Sequence, residues 1–125
     1  MADISSRSVL PQPPERRADV VTLTGEIDLA TAQALRTRLD VLTGGTDLDL
    51  VLDLRPVSFI DCAGLGVLCR VRNRVLARRG RLRLVSGSPS LLRVLRLAGL
   101  AGDFEVLPVM PEALAHTLPE STAIR

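Results

Sequence analysis

Asp61 and Cys62 stand side by side in Phe59-Ile60-Asp61-Cys62-Ala63-Gly64-Leu65-Gly66-Val67, just after an apolar run that ends at Leu54. A helical pattern begins inside this stretch, so one carboxylate, one thiol and two glycines meet where a strand hands over to a helix. The first N–H groups of a helix have no intrahelical partner and favour negative charge. Asp61 can cap that end, and the pair lies where a phosphate or a partner's acidic group could be held. Cys62 admits three chemistries. It can be a small apolar filler. It can be a redox switch, since a helix N-terminus favours the thiolate. It can be a nucleophile, but that needs a base, and the single histidine, His116, falls on a different predicted element.

A second carboxylate, Asp28, sits at a comparable join in Gly25-Glu26-Ile27-Asp28, as an N-cap or turn residue. Asp-Cys-Ala-Gly-Leu-Gly lacks the Gly-Lys-Ser/Thr ending of a phosphate-binding P-loop. Gly64 and Gly66 therefore read as glycines that allow close packing. No metal-ligand spacing occurs, and no cofactor is expected.

Those residues need elements to position them. Asp19 to Gly25 reads as a strand rich in β-branched residues. A helix is expected from Leu29 or Ala30 to Leu42, with Ala32, Leu35, Leu39 and Leu42 inward and Gly44-Gly45 as its stop. Leu48 to Leu54 carries leucine at every even position, which buries one face, and Val51 adds apolar weight to the other. Arg55-Pro56-Val57 ends that strand, and Phe59-Ile60 returns the chain to the core. The second helix runs from Cys62 to about Arg79, with Gly80 as its C′ glycine. Its apolar arc holds Leu65, Val67, Leu68, Val71, Val75 and Leu76, and Arg72 falls inside that arc.

Arg81 to Val85 alternates as a strand. Ser88 or Ser90 caps a short helix over Leu91 to Leu97, with Leu91, Leu92, Leu95 and Ala98 inward and Gly99 and Gly102 ending it. Phe104 to Leu107 is a last strand, and Pro111 to Leu118 fits a final helix with proline in its first turn. Residues 1–17 form a flexible segment or, at Ser8-Val9-Leu10, a short edge strand; residues 18–118 form the domain; residues 119–125 form a tail. Alternating strands and helices give an α/β domain with a mostly parallel sheet and right-handed crossovers.

With 125 residues the chain suits one domain with one core, and with no Trp or Tyr that core is aliphatic. A net charge of +2 does not argue for nucleic acid, and no aromatic residues interleave the arginines for base stacking. The arginines at 70, 72, 74, 78, 79, 81 and 83 form the densest charge cluster and read as a solvated face. Cys62 and Cys69 on one helix stand roughly 10.5 Å apart along its axis, beyond the reach of a disulfide. That suits a reducing cytoplasm. No apolar run is long enough to span a membrane, and no signal-peptide core is present.

Two stretches carry a family resemblance. "GEIDLATAQALRTRL" resembles the G-E-[LI]-D opening and first helix of STAS domains. "FIDCAGLGVL" resembles their F-x-D-S-[ST]-G-L-G-V signature, of the anti-sigma factor antagonist type. The resemblance covers residues 19 to 118. It implies the STAS fold, a small mixed, mostly parallel sheet with packed helices. It also implies a binding protein rather than an enzyme, whose partner is an anti-sigma factor or serine-protein kinase with a histidine-kinase-like ATP-binding fold. Asp28, Asp61, Cys62, Ala63, Gly64 and Leu65 are the expected docking edge.

In the family's phosphorylatable antagonists the residue after the signature aspartate is the serine that a partner kinase modifies. Here that position is Cys62, followed by Ala63, so the serine phospho-switch is expected to be missing. Two other readings stay open. One is a STAS subunit of a lipid-transport or stressosome-type complex, and the other is a thiol redox sensor centred on Cys62.

Overall fold

The computed structural model describes residues 3–9, 18–112 and 119–120. The elements are β1 (Asp3–Val9), β2 (Ala18–Ile27), α1 (Ala32–Leu42), β3 (Asp49–Asp53), β4 (Val57–Ile60), α2 (Cys62–Ala77), β5 (Arg81–Val85), α3 (Pro89–Leu97), β6 (Glu105–Leu107) and β7 (Pro119–Glu120). They build one mixed sheet in the order β6-β5-β3-β2-β1-β7, with β4 paired to β2 off that path. The pairs β2–β3, β2–β4, β3–β5 and β5–β6 are parallel, and β1 runs antiparallel to both β2 and β7. The mostly parallel α/β sheet expected from the sequence is therefore present.

Leucine alternation decides which face is which. Leu50, Leu52 and Leu54 join Val21, Leu23 and Ile27 of β2 and Leu82 and Leu84 of β5 on one face. Leu35 and Leu39 of α1, the inner side of α2, and Leu91 and Leu95 of α3 cover them. The other face holds a smaller cluster of Ala18, Val20, Val51 and Val85, against which Leu107 and Met110 pack. Val51 is fully buried there, as its place in the leucine run suggested. On the same face the buried Asp53 is gripped by Arg55 through two hydrogen bonds of 2.9 and 2.8 Å.

Strand β2 is the organising departure from expectation. It does not stop at Gly25 but continues to Ile27. Its first half pairs with β3 and its last three residues pair with β4, across a register irregularity at Gly25–Glu26. Gly25 takes φ +84°, a left-handed conformation open to glycine at little cost. That bend releases β2 from β3 and lets it receive β4, a strand the sequence pattern did not reveal. Phe59 does not return to the core. It is 53% exposed, and Ile60 packs inward instead.

Other boundaries moved for local reasons. Helix α1 begins at Ala32, with Thr31 in the capping position, rather than at Leu29 or Ala30. Helix α2 ends at Ala77, and the left-handed residue after it is Arg79 (φ 64°), not Gly80. Gly80 is required by packing: a Cβ there would meet the Leu48 carbonyl oxygen at 2.5 Å. Helix α3 starts at Pro89, because Ser88 caps it by accepting from the Ser90 N–H at 3.3 Å. Leu92 and Ala98, expected inward on α3, are exposed, and Val94 packs in their place. Gly99 ends that helix at φ +74°, as expected.

Strand β1 spans Asp3–Val9 and lies between β2 and β7, where the sequence offered a tail or a short strand at Ser8-Val9-Leu10. Leu10 and most of the expected 111–118 helix, His116 included, lie outside the described residues.

Candidate functional site

Strand β4 delivers Asp61 to the turn that leads into α1. The Asp61 N–H donates to the Ile27 carbonyl oxygen at 3.2 Å, which extends the β2–β4 pairing by one step. Its carboxylate then bridges two elements. Oδ1 accepts from the Gly64 N–H at 3.0 Å, capping α2, while Oδ2 accepts from the Leu29 N–H at 3.2 Å. One carboxylate therefore both caps α2 and tethers the Leu29 turn.

Asp28 holds the adjoining turn. Its Oδ1 accepts from the N–H groups of Ala30 (3.0 Å) and Thr31 (3.1 Å). Its own N–H donates to Thr31 Oγ1 at 3.0 Å, and the Thr31 hydroxyl donates to the Glu26 carbonyl at 2.8 Å. Short polar side chains that bond to backbone one to three residues on favour such turns over continued helix. This is why α1 starts at Ala32, four residues after Asp28.

Cys62 is the first residue of α2, and its side chain is exposed. Asp28, Asp61 and Ala63 are half-buried beside it. Gly64 and Leu65, expected on the same surface, are buried instead. A Cβ on Gly64 would collide with the Ile27 carbonyl oxygen and come within 2.6 Å of Ile60 Cγ1. Gly64 therefore lets α2 approach β2 and β4 closely, and Leu65 seals the core beneath the edge. Both shape the edge from below rather than face solvent.

The sequence pattern passed over Leu29. It was read as a first helical residue, but it sits at the tip of the turn, 82% exposed. An apolar residue next to a turn-forming aspartate, outside the helical register of Ala32, Leu35 and Leu39, was the available signal. Leu29 and Ala63 line a groove of about 420 Å³ between α1 and α2, together with Ala32, Gln33, Arg36, Gly66, Val67 and Arg70.

Further along, the arginine cluster proves largely paired. Arg70 forms two hydrogen bonds with Asp40 (2.9 and 2.8 Å). Arg74 reaches Thr43 Oγ1 and the Asp40 carbonyl, both at 3.0 Å. Arg81 grips Glu105, and Arg83 grips Asp49. Arg72, unexplained by the helical arc, donates to the Asp103 carbonyl at 2.6 Å and ties α2 to the loop after α3.

Among the described residues no group of His, Cys, Asp and Glu could hold a metal ion. None of their helices is long and apolar enough to cross a membrane. Both cysteines are free, Cys69 being half-buried.

Comparison with known proteins places this geometry. The STAS domain family model matches residues 12–113. The anti-sigma-B factor antagonist of Bacillus subtilis is 36% identical over 86 residues, covering 69% of this chain and 78% of the relative. That of Listeria monocytogenes is 32% identical over 100 residues, covering 78% of this chain and 88% of the relative. Among solved structures, an anti-sigma factor antagonist from Mycobacterium paratuberculosis superposes with a TM-score of 0.69 at 28% identity, covering 87% of this chain and 90% of that one.

Proposed function

Because the chain belongs to the STAS domain family, we propose that it is an anti-sigma factor antagonist: a cytoplasmic bacterial protein that binds an anti-sigma factor and so regulates transcription from the sigma factor which that partner controls. Its action is occupancy of a surface, and no bond is made or broken. The partner is an anti-sigma factor or serine-protein kinase with a histidine-kinase-like ATP-binding fold. What supports the reading is the exposed start of α2 at Cys62, held beside the Asp28 turn by Asp61, in a chain whose relatives carry the antagonist name.

The docking edge is Asp28, Asp61, Cys62 and Ala63, with Gly64 and Leu65 setting its shape from beneath. Cys62 occupies the position of the phosphoacceptor serine, and neither it nor Ala63 has a hydroxyl. A phosphoserine there would add about −1.5 to −2 charges at the edge. Without it the antagonist stays competent to bind whatever the state of the kinase. Cys62→Ser tests this directly. With the partner kinase and ATP, phosphate is expected on the variant and not on the wild-type protein. Phosphate on wild-type protein at another residue would remove this account of the site.

The exposure of Cys62 favours one second reading, a thiol redox sensor. The rate of Cys62 alkylation against pH decides it: an ordinary thiol titration with slow alkylation would exclude that reading.

A further inference from the structure

Two carboxylates and a threonine immobilise one short turn. Asp28 Oδ1 takes the N–H groups of Ala30 and Thr31, Asp61 Oδ2 takes that of Leu29, and the Thr31 hydroxyl ties to Glu26. The side chain carried at the tip is neither polar nor packed. It is a leucine with 82% of its surface in water. Leu97 is equally exposed, but it is the last residue of α3, and among the described residues no side chain ties its backbone down. A leucine on a preordered turn loses little further backbone freedom when covered, so only the ordering of its side chain offsets its apolar burial.

Its surroundings say what would cover it. Leu29 lines the α1–α2 groove together with Ala32, Ala63 and Gly66. A Cβ on Gly66 would meet nothing within 4 Å, so the groove is open at that point. Two arginines line it. Arg70 is neutralised by Asp40, whereas Arg36 has no hydrogen bond or ion pair with the described residues. A complementary surface is therefore apolar where it meets Leu29 and acidic where it meets Arg36.

Resting on the antagonist reading, we infer that Leu29 is the apolar anchor of the docking edge. The partner protein presents a hydrophobic pocket to Leu29, flanked by a carboxylate that meets Arg36. Leu29 then sets both affinity and partner choice, while Asp61 acts as the positioning residue that aims it.

The test uses the full chain and the purified ATP-binding anti-sigma factor of the same organism, titrated by calorimetry. Leu29→Ala is expected to weaken binding about thirty-fold, with its urea midpoint unchanged because the side chain lies in water. Leu29→Met, similar in apolar volume, should stay within about threefold of wild type. Leu97→Ala, equally exposed, should bind as wild type. Arg36→Glu should slow association and flatten its salt dependence. Wild-type affinity in Leu29→Ala would overturn the anchor and leave the antagonist reading standing. Failure of the wild-type protein to bind would overturn the antagonist reading and the anchor with it.

Discussion

Helices α1 and α2 lie side by side on the same face of the sheet, and the two ends of their contact are built by opposite rules. Further along, side chain meets side chain. Arg70 and Arg74 cross to Asp40 and Thr43, and these charges find their partners within the domain. At the N-terminal ends, carboxylates meet backbone instead. Asp28 and Asp61 satisfy the N–H groups of the turn and of α2. Their negative charge is used internally, and an apolar leucine and a thiol are left facing out. At the self-satisfied end the strong charges are spent inside the domain, although Val41 stays exposed there. The other end has a rigid backbone and unburied apolar surface, which is what a preorganised interface requires.

The contrast can be broken most severely at Gly64. Gly64→Ala forces a methyl group onto the Ile27 carbonyl and the Ile60 side chain, and should cost about 3 kcal/mol in urea denaturation. A loss well under 1 kcal/mol would show that α2 can shift at small cost and that the edge is not rigid. Asp61→Ala comes next. It removes the cap of α2 and the tether of Leu29, and should cost about 1–2 kcal/mol. It should also speed hydrogen exchange at the Leu29 and Gly64 amides, whereas Asp61→Asn, which keeps an acceptor oxygen, should retain more of that protection.

Gly66→Ala changes the sign. Nothing stands within 4 Å of the added methyl, so replacing glycine in a helix interior should stabilise by about 0.5–1 kcal/mol. Two glycines on one helix, two positions apart, then differ in sign because one faces β2 and the other faces the groove.

The smallest effect is expected at the self-satisfied end. The hydrogen bond from Arg70 holds the Asp40 carboxyl below its ordinary value, against a partial opposing effect of burial, with the charges of Arg70, Arg74 and Arg36 adding to it. A carboxyl lowered in the folded state stabilises above its unfolded value and loses that contribution as pH falls through the folded one. The pair is largely exposed, so the effect is slight. The urea midpoint of wild type should exceed that of Asp40→Asn by a small margin near about pH 7. That margin should shrink towards about pH 3 and in high salt. A margin that grows on acidification would contradict the pairing.

Much of the fold was legible, and the reasons are local. Leucine at every second position of residues 48–54 marked the sheet face, and Gly99 marked the end of α3, while its cap stayed open between Ser88 and Ser90. Asp61 was legible as a cap, because a cap and its N–H lie three residues apart in the chain. Its second bond, to the Leu29 N–H, was not legible, because it joins residues 32 positions apart. Strand β4 escaped for the same reason: four residues holding an exposed Phe59 show no strand alternation, and only the bend of β2 at Gly25 creates their partner. Gly64 and Leu65 lie inside a motif whose surface and core members cannot be told apart by residue type alone.

The sequence by itself determined the alternation of the main strands and helices, the buried leucine face of residues 48–54, the family signature and the absence of a hydroxyl at position 62, since each of these is a property of neighbouring residues. Tertiary structure alone decided that Asp61 reaches across to Leu29, that Gly64 is held against Ile27 while Gly66 stays open, and that Arg70, rather than Arg36, forms the ion pair with Asp40. Those outcomes depend on which strand lies beside which and on how close α2 comes to β2. Distance across a packed sheet is set by every side chain between the two points, and no short window of sequence contains them all.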